Sequence, residues 1–193
     1  MKSPPVILAS ASPRRAELLR EIVAEFQVIP GHAEEFQPEH LSPSEAGLLN
    51  AYRKARVIAK KFPEALVIGA DTEVVLGRRI FGKPRDLADA HAMLADLAGR
   101  EHLVITGVCL LQLRRHRQKL FSVTTRVKFK PLRTEEIAAY LALINPLDKA
   151  GAYAIQEHGD KIVAQIEGSF SNVVGLPVER LREEVKQFSP RLF

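Results

Sequence analysis

The sequence has one cysteine, Cys109, in 193 residues, which excludes an internal disulfide and any zinc site built from several thiolates. Cys109 sits inside the apolar run Val108 to Leu111, where a buried core thiol is expected. Long hydrophobic runs are also missing. The stretch Leu103 to Leu113 is broken by Thr106 and Gly107 and falls short of the roughly 20 apolar residues that span a bilayer. The start, Met1-Lys2-Ser3-Pro4-Pro5-Val6-Ile7-Leu8-Ala9, turns polar and basic too soon for a signal peptide, so a cytoplasmic protein without membrane contact is expected. No repeat, low-complexity tract or Gly/Ser linker divides the chain, and a single domain over residues 1–193 is the expectation. Gly-x-Ser-x-Gly, His-Glu-x-x-His, the dinucleotide fingerprint and the P-loop pattern are all absent, which disfavours serine hydrolases, zincins, Rossmann dehydrogenases and P-loop enzymes.

What is present describes a small, mildly basic globular protein. Hydrophobic residues make up 46% and charged residues 26%, enough for one sizeable core and too mixed for a disordered chain. Lys and Arg number 28 against 23 Asp and Glu, a formal +5. A basic balance invites a nucleic-acid partner. The densest basic run, Arg114-Arg115-His116-Arg117-Gln118-Lys119, has no interleaved aromatics for base stacking and lies between two strand-like segments, so it reads as a solvated hairpin turn and no specific nucleic acid is expected.

Strand-like and helix-like periods alternate along the sequence, which predicts an α/β fold. Pro5 to Ala9 reads as a buried strand feeding a helix with Ser12 at its N-cap, Pro13 in its first turn, and Leu18, Leu19, Ile22, Val23 and Phe26 at helical spacing. Ser42-Pro43-Ser44-Glu45 is a capping box for a second helix with Leu48, Tyr52, Ala55, Ala59 and Phe62 on its apolar stripe, Lys54 off it, and Pro63 as its stop. Ala65 to Ala70 predicts a short strand ending at Asp71-Thr72, with Glu73 to Leu76 extended and a polar Gly77-Arg78-Arg79 turn after it. A helix over about Asp86 to Ala98 turns Ala90, Met93, Leu94 and Leu97 inward, and His102 to Leu113 with Leu120 to Lys130 predicts a hairpin with one wet face. Thr134 to Ile144 is helical, Lys161 to Ile166 strand-like, and a last helix begins at Pro177 and presents Val178, Leu181, Val185 and Phe188.

Several segments carry chemistry. The turn Ser10-Ala11-Ser12-Pro13-Arg14-Arg15 collects hydroxyls, guanidiniums and backbone N–H groups at a helix start, which favours a bound phosphate; the alternative is a plain cap with solvated arginines. Asp71, after an apolar strand, can hold a divalent cation, activate water or merely cap a turn. Lys83, held between Gly82 and Pro84, can supply a fixed positive charge or be an exposed loop lysine. Asp148 to Gln156 surrounds charged and amide groups with small residues, and Gln156 has the donor and acceptor that a base edge requires; the alternative, favoured by the residues alone, is a turn packed around Tyr153 with a solvated amide. Composition and motif together stop at a metal-assisted enzyme acting on an anionic substrate.

Taken together, Leu8 to Arg15, Gly69-Ala70-Asp71-Thr72 with Gly82-Lys83-Pro84, His102 with Thr106-Gly107, Asp148 to Gln156, and Gly168 to Pro177 resemble the Maf family of nucleoside triphosphate pyrophosphatases, in matching order from residue 6 to 178. The resemblance implies a Maf/ITPase-like fold, a mixed twisted sheet flanked by helices, with two lobes and a substrate cleft between them. It implies hydrolysis of a nucleoside triphosphate to monophosphate and pyrophosphate with a divalent cation such as Mg²⁺ or Mn²⁺, and a homodimer. By the same resemblance, Asp71 is the proton acceptor and a metal ligand, and Glu35 a second acid near the metal. Ser10, Arg14, Arg15, Lys54 and Lys83 line the triphosphate site, while Arg14, Thr72 and Gln156 bear on substrate choice. The form Ala-Tyr-Ala-Ile-Gln is similar to the branch acting on dTTP and UTP; Glu157 and Glu73 depart from that branch's usual glycine and apolar residue. A rival of another class is a non-catalytic regulator of cell division or of nucleic acid, against which the scatter of the basic residues and the lack of any helix-turn-helix, finger or aromatic platform both speak.

Overall fold

Side-chain caps fix where the helices begin. Ser12 Oγ accepts from Arg15 N, Ser42 and Glu45 form a reciprocal capping box, and Asp86 accepts from Asp89 N, each satisfying N–H groups that a helix start leaves orphaned. In the computed structural model, which describes residues 4–34, 36 and 40–192, the elements in chain order are β1 (Val6–Leu8), α1 (Pro13–Arg20), β2 (Gln27–Val28), α2 (Pro43–Lys61), β3 (Leu66–Leu76), β4 (Arg79–Phe81), α3 (Leu87–Leu97), β5 (Glu101–Gln112), β6 (Arg117–Phe129), α4 (Thr134–Leu141), α5 (Gly159–Ile162), β7 (Val163–Glu167), α6 (Phe170–Val174) and α7 (Val178–Phe188). Short 3₁₀ turns cover Leu113–Arg115, Pro146–Asp148, Ala150–Ala152 and Pro190–Leu192. No helix among the described residues is long and apolar enough to cross a membrane.

The strands form one seven-stranded mixed sheet in the order β2-β1-β3-β5-β6-β7, with β4 paired to β3. β1 runs parallel to β2 and β3, placing Ile7 opposite Gln27 and Val67, whereas the β3–β4 and β6–β7 pairs are antiparallel. The chain divides into two compact units. The first holds the residues up to Asp71, Thr106–Val123 and those from Gly175 onward; the second holds Thr72–Ile105 and Thr124–Val174.

In the first unit, the sheet residues Ile7, Val67, Cys109 and Leu111 meet Ala51, Ala55, Ile58 and Ala59 of α2 in one buried cluster. The buried face of α2 is therefore made largely of small residues. This corrects the apolar stripe read from the sequence: Phe62 is exposed and Leu48 and Tyr52 only half-buried, while Ala46, Gly47, Asn50 and Ala51 are buried. At Gly47 and Ala51 the helix backbone lies too near the strands for large side chains to fit between. Cys109 is fully buried, and desolvation pushes its thiol up to about 12, as an inert core cysteine requires.

In the second unit, α3 buries Ala90, Met93, Leu94 and Leu97 as its periodicity predicts. Beside it His102, Phe129 and Tyr153 form an edge-to-face cluster with ring centroids 4.8 to 5.6 Å apart. Tyr140 OH accepts from Ala154 N and donates to Ala154 O, both at 3.1 Å, so the segment before Gln156 is tied down through its backbone.

Other boundaries also differ from the sequence reading: α4 ends at Leu141 and not Ile144, and Lys161 and Ile162, read as strand, close α5 ahead of β7. α1 stops at Arg20, before Ile22 and Val23, which are buried beyond its end. The extended stretch Glu73 to Leu76 is not separate from the strand before it: β3 runs unbroken through Asp71 and Thr72 to Leu76, where Val74, Val75 and Leu76 pair with β4. A polar residue usually marks a strand end because the interior offers it no partner. Here α2 supplies partners for Asp71, so the strand continues through it.

Candidate functional site

The site grows from the close approach of α2 to β3 and β5. A Cβ on Gly69 of β3 would lie 2.2 Å from the Ala51 carbonyl oxygen, and one on Gly107 of β5 would lie 2.4 Å from the Gly47 carbonyl carbon. Both distances are far inside contact with helix backbone, so only glycine lets the helix rest there. A third glycine, Gly31, brings its segment against the Lys54 carbonyl, which would stand 2.3 Å from an added Cβ.

Residues four apart share a helix face, and Asn50 and Lys54 both reach the same carboxylate on β3. Lys54 Nζ donates to Asp71 Oδ1 at 2.6 Å, and Asn50 Nδ2 donates to Asp71 Oδ2 at 3.1 Å. Asp71 and Asn50 are buried, with relative exposures of 6% and 2%. Burying a carboxylate this far is costly unless its oxygens are paired, and here both are.

The turn after β1 supplies the adjoining groups. Ser10 Oγ accepts from Ser12 N and from Arg15 Nη1, each at 3.2 Å. With two acceptor positions used, its O–H proton remains to be donated. Arg15 Nη1 also donates to Ala70 O and its Nε to Gly175 O, both at 2.9 Å, so this guanidinium is anchored one residue from Asp71 along β3. Arg14, in the first turn of α1, is half-buried.

Ser10, Arg15, Lys54 and Asp71 are thus brought together within the first unit. Thr72, half-buried on β3, Lys83, exposed after β4, and Gln156, exposed after Ile155, belong to the second unit. Glu35 lies outside the described residues. Glu157, one of the departures noted in the sequence, has Lys149 for a partner at 3.6 Å; Lys149, 5% exposed, also donates to Asp148 Oδ1 at 2.8 Å and to Asn145 O at 2.6 Å. Glu73, the other departure, is buried.

Sequence reasoning missed Asn50. An asparagine is a poor choice in the middle of a helix, and its position four residues before Lys54 in an otherwise small and apolar stretch was the available signal.

Among the described residues no group of three or more His, Cys, Asp or Glu side chains is placed to hold a metal. Asp71 is nevertheless a hard oxygen donor of the kind Mg²⁺ takes, and Mg²⁺ is commonly held by one or two carboxylates together with substrate phosphates. Asp71 therefore fits a cation that arrives with substrate phosphates.

Comparison with known proteins places the chain. Residues 5–188 match the family model described as Maf-like protein. The dTTP/UTP pyrophosphatase of Carboxydothermus hydrogenoformans is 46% identical over 183 residues, covering 95% of this chain and 98% of that protein. Those of Geobacillus sp. and Gloeobacter violaceus are 47% and 46% identical, covering 94% and 97% of this chain and 97% and 98% of theirs. Among solved structures, the Ham1 protein of Staphylococcus aureus aligns with a TM-score of 0.55 at 17% identity over 96% of this chain and all of its own, and a HAM1 protein from Coxiella burnetii with 0.52 at 11% over 95% and 99%. These last two share the fold. With the family model spanning nearly the whole sequence and relatives this similar over their full lengths, the chain belongs to the Maf-like protein family.

Proposed function

We propose that this protein is a hydrolase that cleaves dTTP and UTP to the monophosphate and pyrophosphate, with a divalent cation. The observation that carries the reading is the Asp71 carboxylate fixed between Lys54 and Asn50 and flanked by the anchored Arg15 and the Ser10 hydroxyl, a cationic surround for one acid in a protein whose relatives bear that activity in their names.

Lys54 is the mobile partner in this arrangement, a flexible four-carbon stem ending in a point charge. A triphosphate concentrates far more negative charge than one carboxylate, so Lys54 turns from Asp71 Oδ1 to the phosphate oxygens when substrate binds. Arg15 stays on Ala70 and Gly175 and contributes fixed positive charge, and Ser10 donates its O–H to a phosphate oxygen. Arg14 and Lys83 add charge to the triphosphate. Asp71 Oδ1, released by Lys54, takes the proton of the attacking water as its oxygen bonds to the α-phosphorus and the bond to the bridging oxygen breaks. Asp71, with Glu35 as a second acid, is the protein's ligand for the cation. When bound, the cation supplies charge neutralisation on the phosphate oxygens. Thr72 and Gln156 select the base. The reading includes a cytoplasmic homodimer, for which the family resemblance is the support and sedimentation the check.

The test is a panel of nucleoside triphosphates incubated with purified protein and Mg²⁺ or Mn²⁺, with pyrophosphate and orthophosphate assayed separately. UTP and dTTP should yield pyrophosphate, and EDTA should stop turnover. Orthophosphate as the first product would overturn the assignment.

A further inference from the structure

Asn50 bonds in two directions at once. Its Oδ1 accepts from the backbone N–H of Phe36 at 2.9 Å, and its Nδ2 donates to Asp71 Oδ2 at 3.1 Å. Chemistry forces the amide this way round, because a backbone N–H can only donate and a carboxylate can only accept. Neither Asp nor Leu, both of similar shape, could serve both neighbours; at 2% exposure an unmet partner would be costly.

The two partners of Asp71 differ in kind. Lys54 is long and partly accessible, with a side-chain exposure of 12%, whereas Asn50 is short, buried and held at its far end by Phe36. If Lys54 leaves for a phosphate, a carboxylate with no second restraint is free to rotate and present either oxygen. One held by Oδ2 is not.

We propose that Asn50 is a positioning residue for the hydrolysis: it keeps Asp71 Oδ2 engaged throughout and so reserves Oδ1 for the reacting water. The inference rests on the pyrophosphatase reading above. It assigns Lys54 and Asn50 to separate tasks, the first exchanged on substrate binding and the second kept.

Two substitutions separate this role from a structural one. Asn50→Asp keeps an acceptor for Phe36, removes the donor to Asp71 and adds a like charge beside it; Asn50→Leu removes both bonds without adding charge. Wild type and both variants are compared for kcat and KM with UTP, and for melting temperature. Both variants should lose 10- to 100-fold in kcat with KM within about threefold of wild type. Wild-type kcat in Asn50→Asp would assign Asn50 to the Phe36 backbone alone, and wild-type kcat in Asn50→Leu would remove the residue from the reaction; either result overturns the proposal. A KM raised more than tenfold at unchanged kcat overturns it as well, making Asn50 a substrate contact. A second readout does not need turnover: the Asn50 side-chain amide resonances should shift on Asp71→Ala and stay in place on Lys60→Ala, and an amide indifferent to Asp71→Ala refutes the contact on which the proposal stands. That measurement decides if Asn50→Leu does not fold, and it still decides if the wild type releases no pyrophosphate, which would defeat the pyrophosphatase reading by itself.

Discussion

Gly107 on β5 sits against Gly47 on α2 so closely that a methyl group at Gly107 would lie 2.4 Å from the Gly47 carbonyl carbon and 2.6 Å from the Leu48 nitrogen. Both obstacles are backbone, so neither can rotate aside. Gly107→Ala should push α2 off the sheet, costing at least the roughly 1–3 kcal/mol typical of overpacking. Because α2 carries Asn50 and Lys54 to Asp71, kcat should fall along with melting temperature. Calorimetry and steady-state kinetics on the same preparation check this; a variant with wild-type stability would mean that the helix has room to spare.

Asp71→Asn removes the proton acceptor and leaves an amide facing Asn50 Nδ2 and Lys54 Nζ. The shape is nearly unchanged, so the fold should persist while kcat falls by a factor of about 10² to 10⁴, the usual size of general-base catalysis. A variant retaining more than about a tenth of wild-type kcat would limit the carboxylate to less than roughly 1.4 kcal/mol of the barrier. Lys54→Met should behave differently, because it deprives a buried acid of its ion-pair partner yet leaves the Asn50 bond. Its stability should drop by on the order of 2 kcal/mol, less than for a pair with no other support, and its KM for nucleotide should rise.

Parts of this architecture can be read directly from residue types. Ser12-Pro13, Ser42 through Glu45 and Asp86 announce helix starts by local chemistry, and the alternation from Val123 to Phe129 shows as buried Thr125, Val127 and Phe129 against exposed Thr124, Arg126 and Lys128. Local signals suffice where a residue's neighbours in sequence decide its state. They fail at Asp71, whose place inside a continuous strand depends on two side chains 17 and 21 positions earlier. They fail again on α2, where large apolar residues drew the stripe but close backbone approach selected small ones. Arg14 and Arg15 look equivalent as letters; only the carbonyls of Ala70 and Gly175 show that Arg15 is anchored. Asn50 was hidden for the same reason, since its importance lies in what stands on either side of it in space.

His102 gives the protein an acid-sensitive element in its second unit. Its Nε2 lies 2.9 Å from the Tyr153 hydroxyl, its Nδ1 has no hydrogen-bond partner among the described residues, and it is 1% exposed. A proton added to Nδ1 would be buried with nothing to accept it, and desolvation lowers the imidazole pKa from 6.5 to about 4. Between those values the unfolded chain binds the proton and the folded chain does not. The contribution to stability is therefore complete above the unfolded value and is lost as pH falls toward 4, amounting to about 3 kcal/mol at most. Thermal melting of wild type and His102→Gln from pH 7.5 to 4 should show a shallower acid decline in the variant. Parallel curves would mean that His102 does not carry this sensitivity.

Gln156 follows a tightly anchored segment: Tyr153 is buried against His102 and Phe129, and Ala154 is bonded on both sides of its peptide by Tyr140. The Gln156 side chain itself is exposed. An exposed side chain on a rigid support can be replaced with little effect on stability, so the melting temperature of Gln156→Ala should stay within about 2 °C of wild type, whereas a brace for the turn would lower it further. Uracil and thymine present a carbonyl and an imide N–H on adjacent ring positions, and one amide can answer both; cytosine and adenine do not offer the same pair. Removing that amide should therefore lower kcat/KM for UTP and dTTP by about 5- to 150-fold, the equivalent of roughly 1–3 kcal/mol, and change CTP and ATP much less. Four-nucleotide kinetics on the single variant decide between selection of the base and a general part in turnover: an equal loss across all four would assign Gln156 to the reaction as a whole and leave the choice of base to other residues, Thr72 and Arg14 first among them.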